Sequence, residues 1–201
     1  RRVAEIGYRQ VEPYRIVPGT QALRQALGEY GLSAPTAHAP LLDEQQEEIF
    51  AAAAQLGIGT VILPATPQSQ WSSAADVQAI AASLNTAARA AARHGLTVGY
   101  HNHRWEFATM AGRTALGTRL NDDVVLQIDT YWAAVAGVDP VALIAALGQR
   151  VRYLHLKDGP ITRDASHQVA LGQGEMPLTE ILQAATHLDL GVVELDDHRG
   201  D

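Results

Sequence analysis

The chain has 201 residues, a mass of 21.5 kDa and a net charge of −7, with 47% apolar and 18% charged residues, 17 Gly, 9 Pro and no Cys. That composition supports a hydrophobic core and excludes disorder; without Cys there are no disulfides, zinc ribbons or thiolate nucleophiles, so a metal must rest on His, Asp, Glu or backbone oxygen. The acidic balance and the lack of a Lys/Arg stripe argue against nucleic acid, and no apolar run approaches the roughly 18 residues that cross a bilayer.

Residues 1–7 read as the tail of a helix, so an upstream signal segment stays open, and a cytoplasmic location is the expectation. From there one phrase recurs: an Ala/Leu-rich helical stretch, a Gly at its exit, and a short apolar run closed by a polar residue. The exit glycines Gly7, Gly31, Gly57, Gly95 and Gly148 fall where a helix ends on a left-handed residue. Strands are predicted at 11–14, 34–38, 60–64, 97–103, 124–129, 152–156 and 191–195, with helical period between them. Asp139-Pro140 supplies an N-cap and a first-turn Pro, and Pro177-Leu178 opens a later helix. Seven strands alternating with helices predict an α/β protein with a parallel sheet in a single domain over 1–201.

An open doubly wound sheet and a (β/α)8 barrel both satisfy that alternation. No G-x-G-x-x-G or P-loop follows any strand, and Gly172-Gln173-Gly174 is a lone G-x-G. Nearly every predicted strand instead ends in a side chain fit for chemistry: Glu12, His38, His101 and His103, Asp129, His155 and Glu194. A barrel gathers such ends on the face where barrel active sites are built, so the TIM barrel is the expected fold. His101 and His103, two apart on a strand, would share a face, with Asn102 opposite.

Taken singly, a strand-end His or Asp is more often a hydrogen-bonded structural group. Several buried ionisable groups at one barrel end are costly unless paired or metal-bound, and a divalent cation held by two carboxylates and one or two imidazoles is the simplest compensation. Nitrogen and oxygen donors suit Mn, Co, Mg or Zn without ranking them.

The stretches Val98-Gly99-Tyr100-His101-Asn102-His103-Arg104-Trp105-Glu106-Phe107, Leu126-Gln127-Ile128-Asp129-Thr130-Tyr131-Trp132, Leu154-His155-Leu156-Lys157-Asp158 and Val193-Glu194-Leu195-Asp196, taken in order, resemble the sugar phosphate isomerase/epimerase family of xylose isomerase-like TIM barrels. The resemblance implies a divalent-metal site with one ligand from each of the fifth to eighth strands, which match His101, Asp129, His155 and Glu194. Many members carry Glu on the fifth strand; His101 there resembles the branch that includes inosose dehydratases. The implied chemistry is metal-assisted proton abstraction beside the carbonyl of a small keto sugar, through an enediolate. Epimerisation, isomerisation or loss of a β-oxygen then depends on where the proton or leaving group goes. Glu194 would serve as ligand and base, with His103 or Glu106 as the second acid/base, and His38 and Lys157 on substrate oxygens.

Plainer readings stand beside these. Lys157, taken as out of phase with His155, reads equally as a surface lysine, and Glu106 equally as a partner of Arg104. Glu12 is a barrel-floor acceptor or a substrate contact. Trp132, beside Tyr131, either walls a sugar pocket or only packs. His94, His167, His187 and His198 read as solvated. The leading function is a metal-dependent sugar isomerase or epimerase. The alternatives are a lyase of inosose dehydratase or 3-keto-glycoside type and a sugar-binding barrel without turnover. A carbohydrate is the expected partner, with neither nucleic acid nor membrane. A barrel of about 250 residues uses roughly 31 per βα unit, so this chain supplies about six and a half. The first strand and last helix are therefore expected to be missing: the chain is a portion of a longer protein, or a partner such as a second copy covers its strand edges.

Overall fold

The computed structural model describes residues 1–43, 45–107, 109–110, 113–114 and 123–197. His198, expected to be solvated, lies outside the described residues. The chain divides into two compact units: one is built chiefly on Arg1–Thr66 and Gln78–Tyr100, the other on Pro67–Val77, the segment from His101, and the strands and helices after Val124.

In the first unit, α1 (Arg2–Glu5) leads to a segment running beside β1 (Thr36–His38). Val11 N–H donates to Ser33 O, His38 N–H to Pro13 O and Arg15 N–H to His38 O, all within 3.0 Å. The strand predicted at 11–14 is thus present only as isolated bridges, because Pro13 has no N–H to continue a ladder. After α2 (Thr20–Tyr30) and β1, α3 (Gln46–Leu56) precedes β2 (Thr60–Leu63), and α4 (Ala74–Ala92) precedes β3 (Thr97–His101). β1 pairs with β2 and β2 with β3, all parallel, with Ala37 opposite Val61 and Ile62 opposite Gly99. Gly31 and Gly57 close α2 and α3 at φ 62° and 71°, a conformation that would strain a side chain. The apolar face of α3 buries Ile49, Phe50, Ala52 and Ala53 at helical spacing, and β2 is buried along its whole length, as a strand covered on both faces must be.

The second unit contains a short antiparallel pair, β4 (Thr109–Met110) with β5 (Arg113–Thr114), then β6 (Val124–Asp129), α5 (Thr130–Val135), α6 (Pro140–Leu147), β7 (Val151–Leu156), α7 (Leu178–Ala184) and β8 (Leu190–Val193). β6, β7 and β8 are parallel, with Asp129 opposite His155 and His155 opposite Val192. Strand followed by helix followed by parallel strand is the repeat of both units, and the fold class is α/β of the (β/α)8-barrel type. Among the described residues no helix is long and apolar enough to cross a membrane.

The strand predicted over 97–103 ends at His101. Asn102 leaves the ladder, yet its side chain keeps the pairing: Oδ1 accepts from Asp129 N–H at 3.0 Å and Nδ2 donates to Asp129 O at 3.2 Å. A side-chain amide thus replaces a peptide group at the end of β6. α6 starts as its sequence predicts, with Asp139 Oδ1 accepting from Val141 N–H (2.9 Å) and Ala142 N–H (3.3 Å) and Pro140 at the first position. Asp139→Ala should cost about 1 kcal/mol of unfolding free energy, read as a lower denaturant midpoint at unchanged slope; an unaltered midpoint would show that the cap contributes nothing.

Candidate metal centre

Asp129 ends β6 and caps α5, where Oδ1 accepts from Trp132 N–H at 2.9 Å. The cap fixes the carboxylate, and its second oxygen, Oδ2, faces His101 Nε2 at 3.8 Å. His101 Nδ1 lies 3.0 Å from Gln127 Oε1. With Nδ1–H donated to that amide oxygen, Nε2 carries the lone pair that a ligand needs, and the ring orientation is set from behind. His155, on β7, places its ring centroid 4.6 Å from that of His101, and its Nδ1 is 2.6 Å from Glu194 Oε2. Glu194 follows β8 and stays in register through its N–H, which donates to Leu156 O.

One ligand atom from each of Asp129, His155 and Glu194 lies within 4.8 Å of the others. An imidazole and two carboxylates from three adjacent strands form a donor set that fits a divalent cation, and His101 stands beside Asp129 as a fourth candidate. Asp129 is fully buried, and burial pushes its carboxyl up, opposed by Lys157 and His155. For Glu194 burial acts in the same upward sense, but the His155 hydrogen bond and the Lys157 charge outweigh it and hold the carboxyl far below the usual range.

Lys157 is where the sequence reading needs its clearest correction. It lies two residues beyond His155, and a two-residue step on a strand preserves the face, so it points inward. It is 1% exposed, and a surface lysine is ruled out. Nζ donates to Asp129 Oδ2 (2.7 Å), Glu194 Oε2 (2.8 Å) and Asp196 Oδ1 (2.8 Å), which places all three protons on carboxylates. Burial alone would depress its pKa, but Asp129, Glu194 and Asp196 more than reverse this and keep it charged.

Three further residues escaped the sequence reading. Gln168 Nε2 donates to Asp196 Oδ2 at 2.7 Å while its Oε1 accepts from Asp196 N–H at 2.8 Å, so the loop after β7 is tied to the end of β8. Asp158, fully buried, accepts from the N–H groups of Gly159 (2.8 Å), Gly172 (2.8 Å), Gly174 (3.0 Å) and Met176 (3.1 Å). The lone G-x-G therefore cradles a carboxylate of its own chain. A Cβ on Gly174 would fall 2.2 Å from both Asp158 Oδ1 and Gly159 N, which is why that position is glycine. The signal that could have found Asp158 is an Asp at a strand end followed by a glycine-rich loop.

His103, predicted to share the face of His101, lies beyond the strand; its ring stacks on Trp105 at 4.4 Å and 6° and meets His101 edge-on at 5.2 Å. Glu106 is fully buried, with Oε2 accepting from His103 N–H at 2.9 Å and Oε1 3.7 Å from His103 Nδ1. The structure thus joins Glu106 to His103. Trp132 packs edge-on against Tyr131 and lies beneath the Lys157 ammonium, 5.9 Å from the ring centroid. In the first unit Glu12 and His38 form their own pair, with Glu12 Oε1 3.1 Å from His38 Nε2 and Oε2 accepting from the Thr36 hydroxyl. His94, expected to be solvated, bonds Glu47 at 3.1 Å and leans on Phe50; His167 is 60% exposed.

The model of the xylose isomerase-like TIM barrel matches residues 1–199. The chain belongs to that family. Among solved structures it is similar to a sugar phosphate isomerase/epimerase from Parabacteroides distasonis, at 20% identity over 98% of this chain and 79% of that one, with a TM-score of 0.80. It is also similar to the IOLI protein with a bound zinc atom (17% identity, 96% and 81% coverage, TM-score 0.75). A third likeness is to the probable 3-DHS dehydratase AsbF of petrobactin synthesis from Bacillus anthracis (14%, 98% and 86%, TM-score 0.70). At these identities the likeness establishes a shared fold. Among curated proteins none matches the sequence.

Burial opposes the charge on Asp158, yet its four N–H donors prevail and hold the carboxyl below the usual aspartate range. A depressed folded-state pKa adds stability that is present above the unfolded value and lost as pH falls through the folded one. Asp158→Asn should therefore lower stability at pH 7 and flatten its loss on acidification below about pH 4; parallel wild-type and mutant stability profiles from pH 7 to 2 would refute the assignment.

Proposed function

We propose that this protein is a divalent-metal-dependent isomerase or epimerase of a small keto sugar or sugar derivative. The observation that supports this reading most is the convergence of Asp129, His155 and Glu194 ligand atoms within 4.8 Å. The neighbouring sugar phosphate isomerase/epimerase and the zinc-bound IOLI protein share the scaffold on which that convergence is built. Asp129, His155 and Glu194 would hold the ion, with His101 as fourth ligand; when bound, a divalent cation supplies electrophilic polarisation of a keto oxygen and so acidifies the adjacent C–H.

The chain's own residues do the rest. Glu194, gripped by His155 and Lys157, is a weak base for its type, which favours its ligand role over proton abstraction. His103 is the better proton carrier. An imidazole can both take and give a proton, and its side chain is 27% exposed, while its buried Nδ1, 3.7 Å from Glu106 Oε1, has no hydrogen-bond partner among the described residues. Glu106 behind it holds the turn through the backbone N–H of His103. Trp132 offers an aromatic face to the C–H side of a sugar ring.

A lyase of dehydratase type is the second reading, favoured by the same His103, since a half-buried imidazole next to the strand end suits protonation of a leaving oxygen. The AsbF likeness supports that chemistry on this scaffold.

Incubation of the metal-loaded protein with a panel of keto sugars in deuterated water, followed by NMR, separates the readings. Deuterium next to the carbonyl is the expected result, loss of water identifies the lyase, and metal binding without either leaves a sugar-binding barrel. Glu194→Gln and His103→Gln should each slow exchange at least about 100-fold; near-wild-type exchange by either variant removes that residue from its role.

A further inference from the structure

Asp129 presents Oδ1 to the α5 cap and Oδ2 to Lys157, so both of its oxygens are engaged. Glu194 Oε2 is shared between His155 and the same ammonium. A cation that took these two carboxylates as ligands would address oxygens that Lys157 already holds. The charges fit that arrangement: Asp129, Glu194 and Asp196 against Lys157 leave −2, which one divalent cation cancels. Asp196 differs from the other two in being outside the group that can hold the ion, and it is fixed from the far side by Gln168 through two hydrogen bonds. It therefore gives the ammonium an anchor that does not depend on either ligand carboxylate.

We propose that Lys157 is a built-in counter-cation of the metal centre, which keeps Asp129 and Glu194 together when no ion is bound and competes with the ion for their oxygens. The inference rests on the metal-site reading above and adds a regulator to it. By lending the site one positive charge, Lys157 weakens divalent binding and makes the metal exchangeable. In its absence three carboxylates would face one another in a buried setting, a state relieved by drawing an ion in more tightly. Lys157 acts here through the ligands and is a positioning residue.

The two consequences run in opposite directions, and a merely structural lysine cannot produce both. Lys157→Met should melt at a lower temperature than wild type when metal-free, yet bind Mn²⁺ and Zn²⁺ about tenfold or more tightly by titration calorimetry. Its melting temperature should also rise further on metal addition than that of wild type. Lys157→Gln, which keeps an N–H donor but no charge, should do the same and serves where the Met variant does not fold. Equal or weaker metal binding by the charge-free variant, against measurable binding by wild type, overturns the counter-cation role and leaves the metal centre standing. No binding by either protein overturns the metal centre and the counter-cation with it.

Discussion

A lysine ammonium buried to 1% exposure is the constraint around which the second unit is organised. Left unpaired it would be among the costliest groups in the molecule, so carboxylates must reach it from more than one strand. They come from the end of β6 and from the segment following β8, while Lys157 itself follows β7. Register is thereby strongly specified. With Asp129 opposite His155 and His155 opposite Val192, a one-residue slip of β8 would turn both Glu194 and Asp196 to the other face and leave Lys157 with Asp129 alone of its three carboxylates. The polar cluster selects one strand alignment, which apolar packing of Val and Leu alone would specify less sharply.

The same scaffold occurs in a sugar phosphate isomerase/epimerase, a zinc-bound IOLI protein and a probable 3-DHS dehydratase, so the fold alone does not fix the chemistry. In this chain β3 ends in the turn His101-Asn102-His103. Asn102 spends its amide on the backbone of Asp129, which releases the following residues from the ladder and lets His103 lie flat on Trp105. The candidate ligand residues thus lie on or immediately after the strands, while His103 lies just off one.

Much of this was legible in the sequence. Helix exits at glycine, the Asp139-Pro140 start and the strand positions follow from local rules of backbone freedom and capping, and they recur in the structure with small shifts of boundary. Asp129 and Glu194 could be singled out because each closes an apolar run, and His155 because it sits inside one between Leu154 and Leu156, patterns that depend only on neighbours in sequence. What was lost depends on distant partners. The surface reading of Lys157 rests on a phase error, and its three carboxylates come from elements 28 to 39 residues away. Asp196 and Gln168 meet across 28 residues, a pairing that no periodicity announces. The strand at 11–14 failed for a local reason that was visible, the missing N–H of Pro13.

The carboxylate of Asp158, wrapped by four backbone N–H groups, has a consequence for how a ligand would be received. Nest-like arrays of amides ordinarily gain their order from the anion they capture. In this chain the anion is covalently part of the strand, so the loop from Gly159 to Met176 is closed before anything arrives, and Gln168 is held at its post in the same way. The residues already tied down in this way would give up little further conformational freedom to a ligand. A loop ordered by its own carboxylate is a lock cut in advance.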